Sequence, residues 1–169
     1  MNDFQEGSGM MLLHQVMHLS EYLAVKGLER LNLKPGQAGI LFWLDKEGEL
    51  SQRQLSKKLS ITPPSVTAAL RKLEMKGLIR KESDPEDQRV FKVCLTEEGK
   101  GKIHEVKSLG GELEQVIYEG IPEEEALLFR RTLLDMRENL MKAKELKGRT
   151  TYSILAEACL NRKLNAERD

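Results

Sequence analysis

Cysteine, aromatic side chains and long apolar runs are all scarce in this 169-residue chain. The two cysteines, Cys94 and Cys159, stand far apart, so no disulfide framework is expected, and cytosolic thiols stay reduced. The longest clear apolar run is residues 38–44, far short of the ~20 residues of a membrane-spanning helix. The opening MNDFQEGSG has no basic segment followed by an apolar core, so it does not read as a secretory signal. The expected location is therefore cytoplasmic, with no membrane partner. Net charge is absent as well: 27 basic residues balance 27 acidic ones. No nucleophile with an adjacent base and no Gly-rich phosphate loop is evident, so the chain does not read as an enzyme, and no cofactor is expected. Aromatics make up 5% of the residues and charged groups 32%, which fits a helix-rich soluble protein.

What is present is concentrated in residues 51–96. Ser51 with Gln54 forms a capping box, and Leu55 and Leu59 put an apolar stripe on the helix that follows. Ser60 and Ile61 end it. Thr62 caps a second helix with Pro63 at its first position, where a missing N–H costs nothing. Val66, Ala69, Leu70 and Leu73 share one face at helical spacing. The opposite face carries Pro64, Ala68, Arg71 and Met75, flanked by Ser65, Thr67 and Lys72. Gly77 is placed to stop the helix.

Beyond Gly77 the period changes to two. Leu78, Arg80 and Glu82 alternate with Ile79 and Lys81, and Val90, Lys92 and Cys94 alternate with Phe91, Val93 and Leu95. The intervening SDPEDQR is too polar to bury and rich in turn formers. Helix, turn, helix and hairpin with a charged tip make a winged helix-turn-helix, whose second helix enters a DNA major groove. Charge agrees. Residues 51–95 hold ten basic side chains against five acidic ones, so a neutral protein carries one basic module suited to phosphate.

These residues resemble the MarR family of bacterial transcription regulators. The resemblance rests on LNLKPGQAGILFWL at 31–44, QLSKKLSITPPSVTAALRKLEMKGLIRK at 54–81, DPEDQR at 84–89 and LTEEGK at 95–100. It covers roughly residues 10 to 145. It implies an obligate homodimer on pseudo-palindromic double-stranded DNA, acting as a repressor and often released by a small-molecule effector. It also implies that Asp87 and Arg89 match the family's Asp-x-Arg signature at the hairpin tip. A guanidinium there would enter the narrow minor groove, with Asp87 holding it extended and Asp84 as the alternative partner. Many relatives carry a larger basic residue where Ala68 stands. Some relatives sense oxidants through a cysteine in the first helix; this chain has none there. Others bind zinc through Cys, His and Glu. The expected DNA contacts are thus Pro64, Ser65, Thr67, Ala68, Arg71 and Lys72 on the helix, and Asp87 and Arg89 on the wing. No residue matches a ligand-pocket motif.

The rest of the chain reads as helices. Residues 10–31 form one, with Leu13, Val16, Met17, Ser20, Leu23, Ala24, Gly27, Leu28 and Leu31 inward. That face exceeds what one lobe needs, so part of it is expected to meet a partner chain. Met10, Met11 and Met17 read as ordinary core filling. His14 and His18 stand at i, i+4 with Glu21 a turn further, a spacing that can present two imidazoles to one metal. With no cysteine nearby and no third ligand fixed, they read as surface or dimer-contact residues, and no metal is assigned. Residues 36–46 form a short helix, with Trp43 either supporting the helix-turn-helix or lining a pocket. Glu49-Leu50 is a short extended link suited to pairing with the wing. Thr96 caps a long helix in which Gly110-Gly111 allows a bend or a close helix approach. Pro122 with Glu123, Glu124 and Glu125 opens another, with Ala126, Phe129, Leu133, Met136 and Leu140 apolar.

The expected fold is mainly α with a small β wing: a winged helix-turn-helix DNA-binding lobe plus a helical dimerisation lobe. Residues 1–35 and 97–147 form the dimerisation lobe, residues 36–96 the DNA-binding domain, and residues 148–169 a helical extension. A different class of function, a winged-helix protein-interaction scaffold without specific DNA binding, is opposed by Arg71, Lys72 and Arg89. A salt-dependent gel shift discriminates the two.

Overall fold

Capping chemistry sets the helix boundaries. In the computed structural model, which describes residues 8–83, 91–149 and Ile154, the first helix α1 spans Gly9–Arg30. Helix α2 (Pro35–Glu47) starts on Pro35, with the Gln37 amide oxygen accepting from the Lys34 N–H at 2.9 Å. Strand β1 (Leu50–Ser51) leads directly into α3 (Gln52–Leu59). The Ser51–Gln54 capping box closes both ways: the Ser51 N–H donates to Gln54 Oε1 at 2.8 Å, and the Gln54 N–H to Ser51 Oγ at 3.3 Å. Ser60 ends α3 in the left-handed region at φ 54°. Helix α4 (Pro63–Met75) follows, with Thr62 Oγ1 accepting from the Ser65 N–H. Gly77 then turns the chain at φ 69°, a conformation that disfavours any side chain.

Strands β2 (Ile79–Ser83) and β3 (Phe91–Leu95) form the hairpin, and β1 adds to its other side, giving the antiparallel order β1-β3-β2. The Glu49-Leu50 link therefore does pair with the wing, Leu50 standing opposite Val93. Arg80 pairs with Cys94 and Ser83 with Phe91. The strict alternation read for β3 does not hold. Val93, Cys94 and Leu95 are buried in succession, because β3 is the central strand and is covered on both faces near its end. Helices α5 (Glu97–Ile117) and α6 (Glu123–Met141) and a 3₁₀ turn (Lys144–Leu146) complete the described chain.

The core belongs to the winged lobe. Ile40, Leu41, Leu44, Leu55, Val66, Leu70, Leu73, Val93 and Ile103 are each at most 2% exposed. Each such side chain contributes ~1.5–3 kcal/mol by leaving water. This core holds the last turn of α1, all of α2 to β3 and the first turns of α5 as one body. Trp43 packs against its edge, with the Lys58 ammonium 4.6 Å and the Lys46 ammonium 5.1 Å from the ring centre. It supports the helix-turn-helix, the first of the two roles open to it.

The helical lobe is different. Only Gly27 and Leu28 of α1 are buried, and α6 has no buried residue. Met10, Met11 and Met17, read as core filling, are 60%, 47% and 58% exposed, and the inward positions Val16 and Leu23 are also exposed. The apolar stripes are real, but nothing within the described chain covers them. The close helix approach also lies elsewhere than expected. A side chain on Gly110 or Gly111 would meet open space, whereas one on Gly27 would overlap Leu109 where α1 crosses α5.

A second glycine fixes how the two lobes join. Gly99, in the first turn of α5, lies against the backbone of Leu78 so closely that a Cβ there would stand 3.0 Å from the Leu78 carbonyl carbon and nearer still to its oxygen. Thr96 makes the same junction with hydrogen bonds. Its N–H donates to Leu78 O at 3.2 Å, its hydroxyl to Gly77 O at 2.6 Å, and its Oγ1 accepts from the Gly99 N–H at 3.0 Å. The start of α5 is thus clasped to the turn that follows α4.

Candidate nucleic-acid interface

Helix α4 is amphipathic, and its polar side faces solvent. Val66, Leu70 and Leu73 are buried in the core, which leaves Pro64, Ser65, Thr67, Ala68, Arg71, Lys72 and Met75 exposed. The face read from the sequence is therefore the exposed one. Helix α3 packs against α4 through Leu55 and a side-chain clamp. Gln52 Nε2 donates to Thr67 Oγ1 at 2.7 Å and reaches Pro63 O at 3.4 Å. The Thr67 hydroxyl in turn donates to Pro63 O at 2.9 Å.

This clamp changes what Thr67 offers a ligand. Its proton goes to the Pro63 carbonyl and one of its two lone pairs takes the Gln52 amide, so it has no donor to spare and offers one lone pair and its methyl. With Ala68 and Pro64 the methyl makes a short apolar strip, which in a major groove suits thymine methyl groups. Ser65 Oγ turns back to Thr62 Oγ1 at 2.9 Å. Arg71 and Lys72 come one turn later. Among the described residues neither has a hydrogen bond or ion pair, so both present their full donor sets. Gln52 was missed from the sequence. It sits 15 positions before Thr67, and only the folded turn brings them together.

Other cations of the basic segment are engaged. Lys81 pairs with Glu74 at 2.6 Å, Arg80 with Glu82 at 2.5 Å and Lys58 with Glu47 at 2.6 Å. Lys76 donates to the Asn32 carbonyl, tying the end of α4 to the turn after α1. The Arg80 hydrogen bond holds the Glu82 carboxyl below its ordinary pKa. Burial pushes the Cys94 thiol up, and its Sγ lies 3.8 Å from the Arg80 carbonyl, so the cysteine behaves as a small buried apolar group. Asp84, Asp87 and Arg89 of the hairpin tip lie outside the described residues. So does the helical extension, apart from residues 148, 149 and Ile154. No helix among the described residues is long and apolar enough to cross a membrane.

Comparison with known proteins gives a consistent result. The MarR family model matches residues 33–91. An HTH-type transcriptional regulator of Bacillus subtilis (strain 168), YdgJ, is 29% identical over 76% of this chain and 79% of its own length. Another from the same strain, YwoH, is 30% identical over 56% of this chain and 71% of its own length. Among solved structures, a mutant of S. aureus MepR bound to an oligodeoxyribonucleotide superposes with a TM-score of 0.62 at 29% identity, covering 80% of this chain and 99% of that one.

Proposed function

The chain belongs to the MarR family of transcriptional regulators, and on that premise we propose that it binds pseudo-palindromic double-stranded DNA as a homodimer. The observation that carries this reading is the exposed face of α4. A capped, clamped helix presents small side chains and two cations that have no partner among the described residues, the chemistry of major-groove readout. Ser65, Thr67 and Ala68 touch base edges, Arg71 reads a guanine, and Lys72 holds phosphate. Arg89, oriented by Asp87, enters the flanking minor groove. The DNA-bound MepR relative supports the same mode of use.

The dimer follows from the uncovered apolar stripes. Leu19, Tyr22, Leu127, Leu128 and Leu140 are each about three-fifths exposed, a density of large apolar groups that a stable monomer does not leave in water. An apolar cleft of about 680 Å³ between Met10 and Leu13 of α1 and Leu133, Met136 and Leu140 of α6 belongs to the same surface. The two α4 helices then stand about 34–36 Å apart to reach successive major grooves. Occupancy of a promoter makes the protein a repressor, and a small-molecule effector would release it by favouring a dimer of different helix spacing.

Two measurements test the proposal. Sedimentation without DNA returns a dimer; a monomer at all concentrations rejects the assembly. Selection from random duplexes yields a two-fold symmetric site, and Arg71→Ala weakens binding to it by ~1–3 kcal/mol with little change on random DNA. Equal losses on both would reduce Arg71 to a phosphate contact, and failure to enrich any site would reject specific binding.

A further inference from the structure

Glu74 is an odd member of a basic reading module. It stands in the last turn of α4, where the negative end of the helix disfavours a carboxylate, and phosphates nearby would disfavour it again. Its partner comes from the hairpin. Lys81 Nζ donates to Glu74 Oε2 at 2.6 Å, which closes β2 onto α4.

The place of this bond decides what it can do. In β2 only Ile79 is buried. Ile79 stands opposite Leu95 and Lys81 opposite Val93, so all four share the face of the hairpin that meets the core. The next pair on that face, Ser83 and Phe91, is exposed. The Glu74–Lys81 bond thus sits where the hairpin leaves the core. Thr96 fixes the turn between α4 and β2 through Gly77 O and Leu78 O. Farther out, Glu74 and Lys81 brace the strand against the helix.

We propose that Glu74 and Lys81 are positioning residues for DNA recognition: their bond holds the hairpin at the angle to α4 at which helix and wing engage neighbouring grooves together. The proposal rests on the DNA-binding reading. An unbraced hairpin must give up its freedom on binding an operator, and that loss lowers affinity. Random DNA is held by phosphate contacts and does not demand the angle. A half-exposed ion pair lends binding no more than its own strength, and a dimer has two. Breaking the pair should therefore lower the ratio of operator to random-DNA affinity by ~2- to 30-fold. Charge alone predicts something else. Glu74→Gln removes an anion and frees a cation, which tightens both kinds of duplex and leaves the ratio where it was.

The full-length chain is compared with its Glu74→Gln, Lys81→Gln and Glu74→Lys/Lys81→Glu variants. Both side chains are exposed, so all variants keep the wild-type circular dichroism spectrum. Without DNA, backbone amide order parameters at Lys81, Glu82, Phe91 and Lys92 should fall in both single variants and recover in the exchanged pair, while those of α4 stay unchanged. With operator and random duplexes at one salt concentration, both single variants should lower the affinity ratio and the exchanged pair should restore it. The exchange preserves net charge, so recovery reports the bond. Wild-type order parameters in both single variants overturn the brace. An unchanged affinity ratio in both overturns its part in recognition, and an exchanged pair that stays as low as the single variants overturns it equally. A wild-type chain that enriches no duplex fails the DNA-binding reading alone, and the order parameters then decide whether the brace exists.

Discussion

Replacing Gly99 by alanine should destabilise the protein, although Gly→Ala inside a helix ordinarily stabilises. The added methyl meets the backbone of Leu78, with the Leu95 side chain 3.2 Å away on another side. Backbone cannot swing aside as a flexible side chain does. Relief requires moving α5 from the turn, which opens the bond from the Thr96 N–H to Leu78 O at a cost of ~0.5–1.5 kcal/mol. Overpacking adds ~1–3 kcal/mol. Against this stands the ~1 kcal/mol by which alanine outdoes glycine in a helix. The net loss is ~0.5–3.5 kcal/mol. Gly101, two residues along the same helix, faces open space, so Gly101→Ala shows only the gain, ~0.5–1 kcal/mol. Urea unfolding of both variants at one fixed protein concentration should place their midpoints on opposite sides of the wild type. A Gly99→Ala protein as stable as Gly101→Ala would refute the clasp.

Three further outcomes are expected. Gln52→Ala removes the amide that donates to Thr67 Oγ1 and loosens the Thr67 rotamer, so selection from random duplexes should change the preferred base beside Thr67 more than it changes affinity for random DNA; an unaltered preference removes the clamp from readout. Arg89→Ala should lower operator affinity and the salt slope by ~1 per half-site, and Asp87→Ala should act in the same direction but more weakly. Tighter binding by Asp87→Ala, as bare charge would give, sinks the orienting role. In a Cys159→Ser background Cys94 should alkylate slowly in the folded protein and fast in urea, because the thiolate is the reacting form and burial disfavours it. Prompt labelling without denaturant would contradict the buried placement.

The winged lobe was legible because its signals are local. Ser51 with Gln54, Thr62 with Pro63, and Gly77 each act on residues within one turn, and the structure uses each as read. The burial of α1 and α6 was not legible for the opposite reason. An apolar stripe such as Met10, Leu13 and Met17 declares a face to be covered but does not say by which chain, and core filling was the wrong assignment. The close approach at Gly27 could not be told from the open positions at Gly110 and Gly111, since glycine permits proximity without requiring it. On α4 the sequence identified the exposed face, but not that Gln52 and the Pro63 carbonyl engage the Thr67 hydroxyl and leave it no free donor.

Trp43, the one tryptophan in 169 residues, sits at the edge of the winged core between two lysine ammoniums. The chain thereby carries its own optical label for one lobe. Indole emission responds to the loss of those charges and of core contact, so it reports when the helix-turn-helix opens. Tyr22 and Tyr118 belong to α1 and to the end of α5, and far-ultraviolet ellipticity sums over every helix. Two probes with different fields of view follow one denaturation. If the clasp at Gly99 makes the lobes a single cooperative unit, the two curves coincide; curves that separate measure how far the helical arms melt before the lobe that reads DNA.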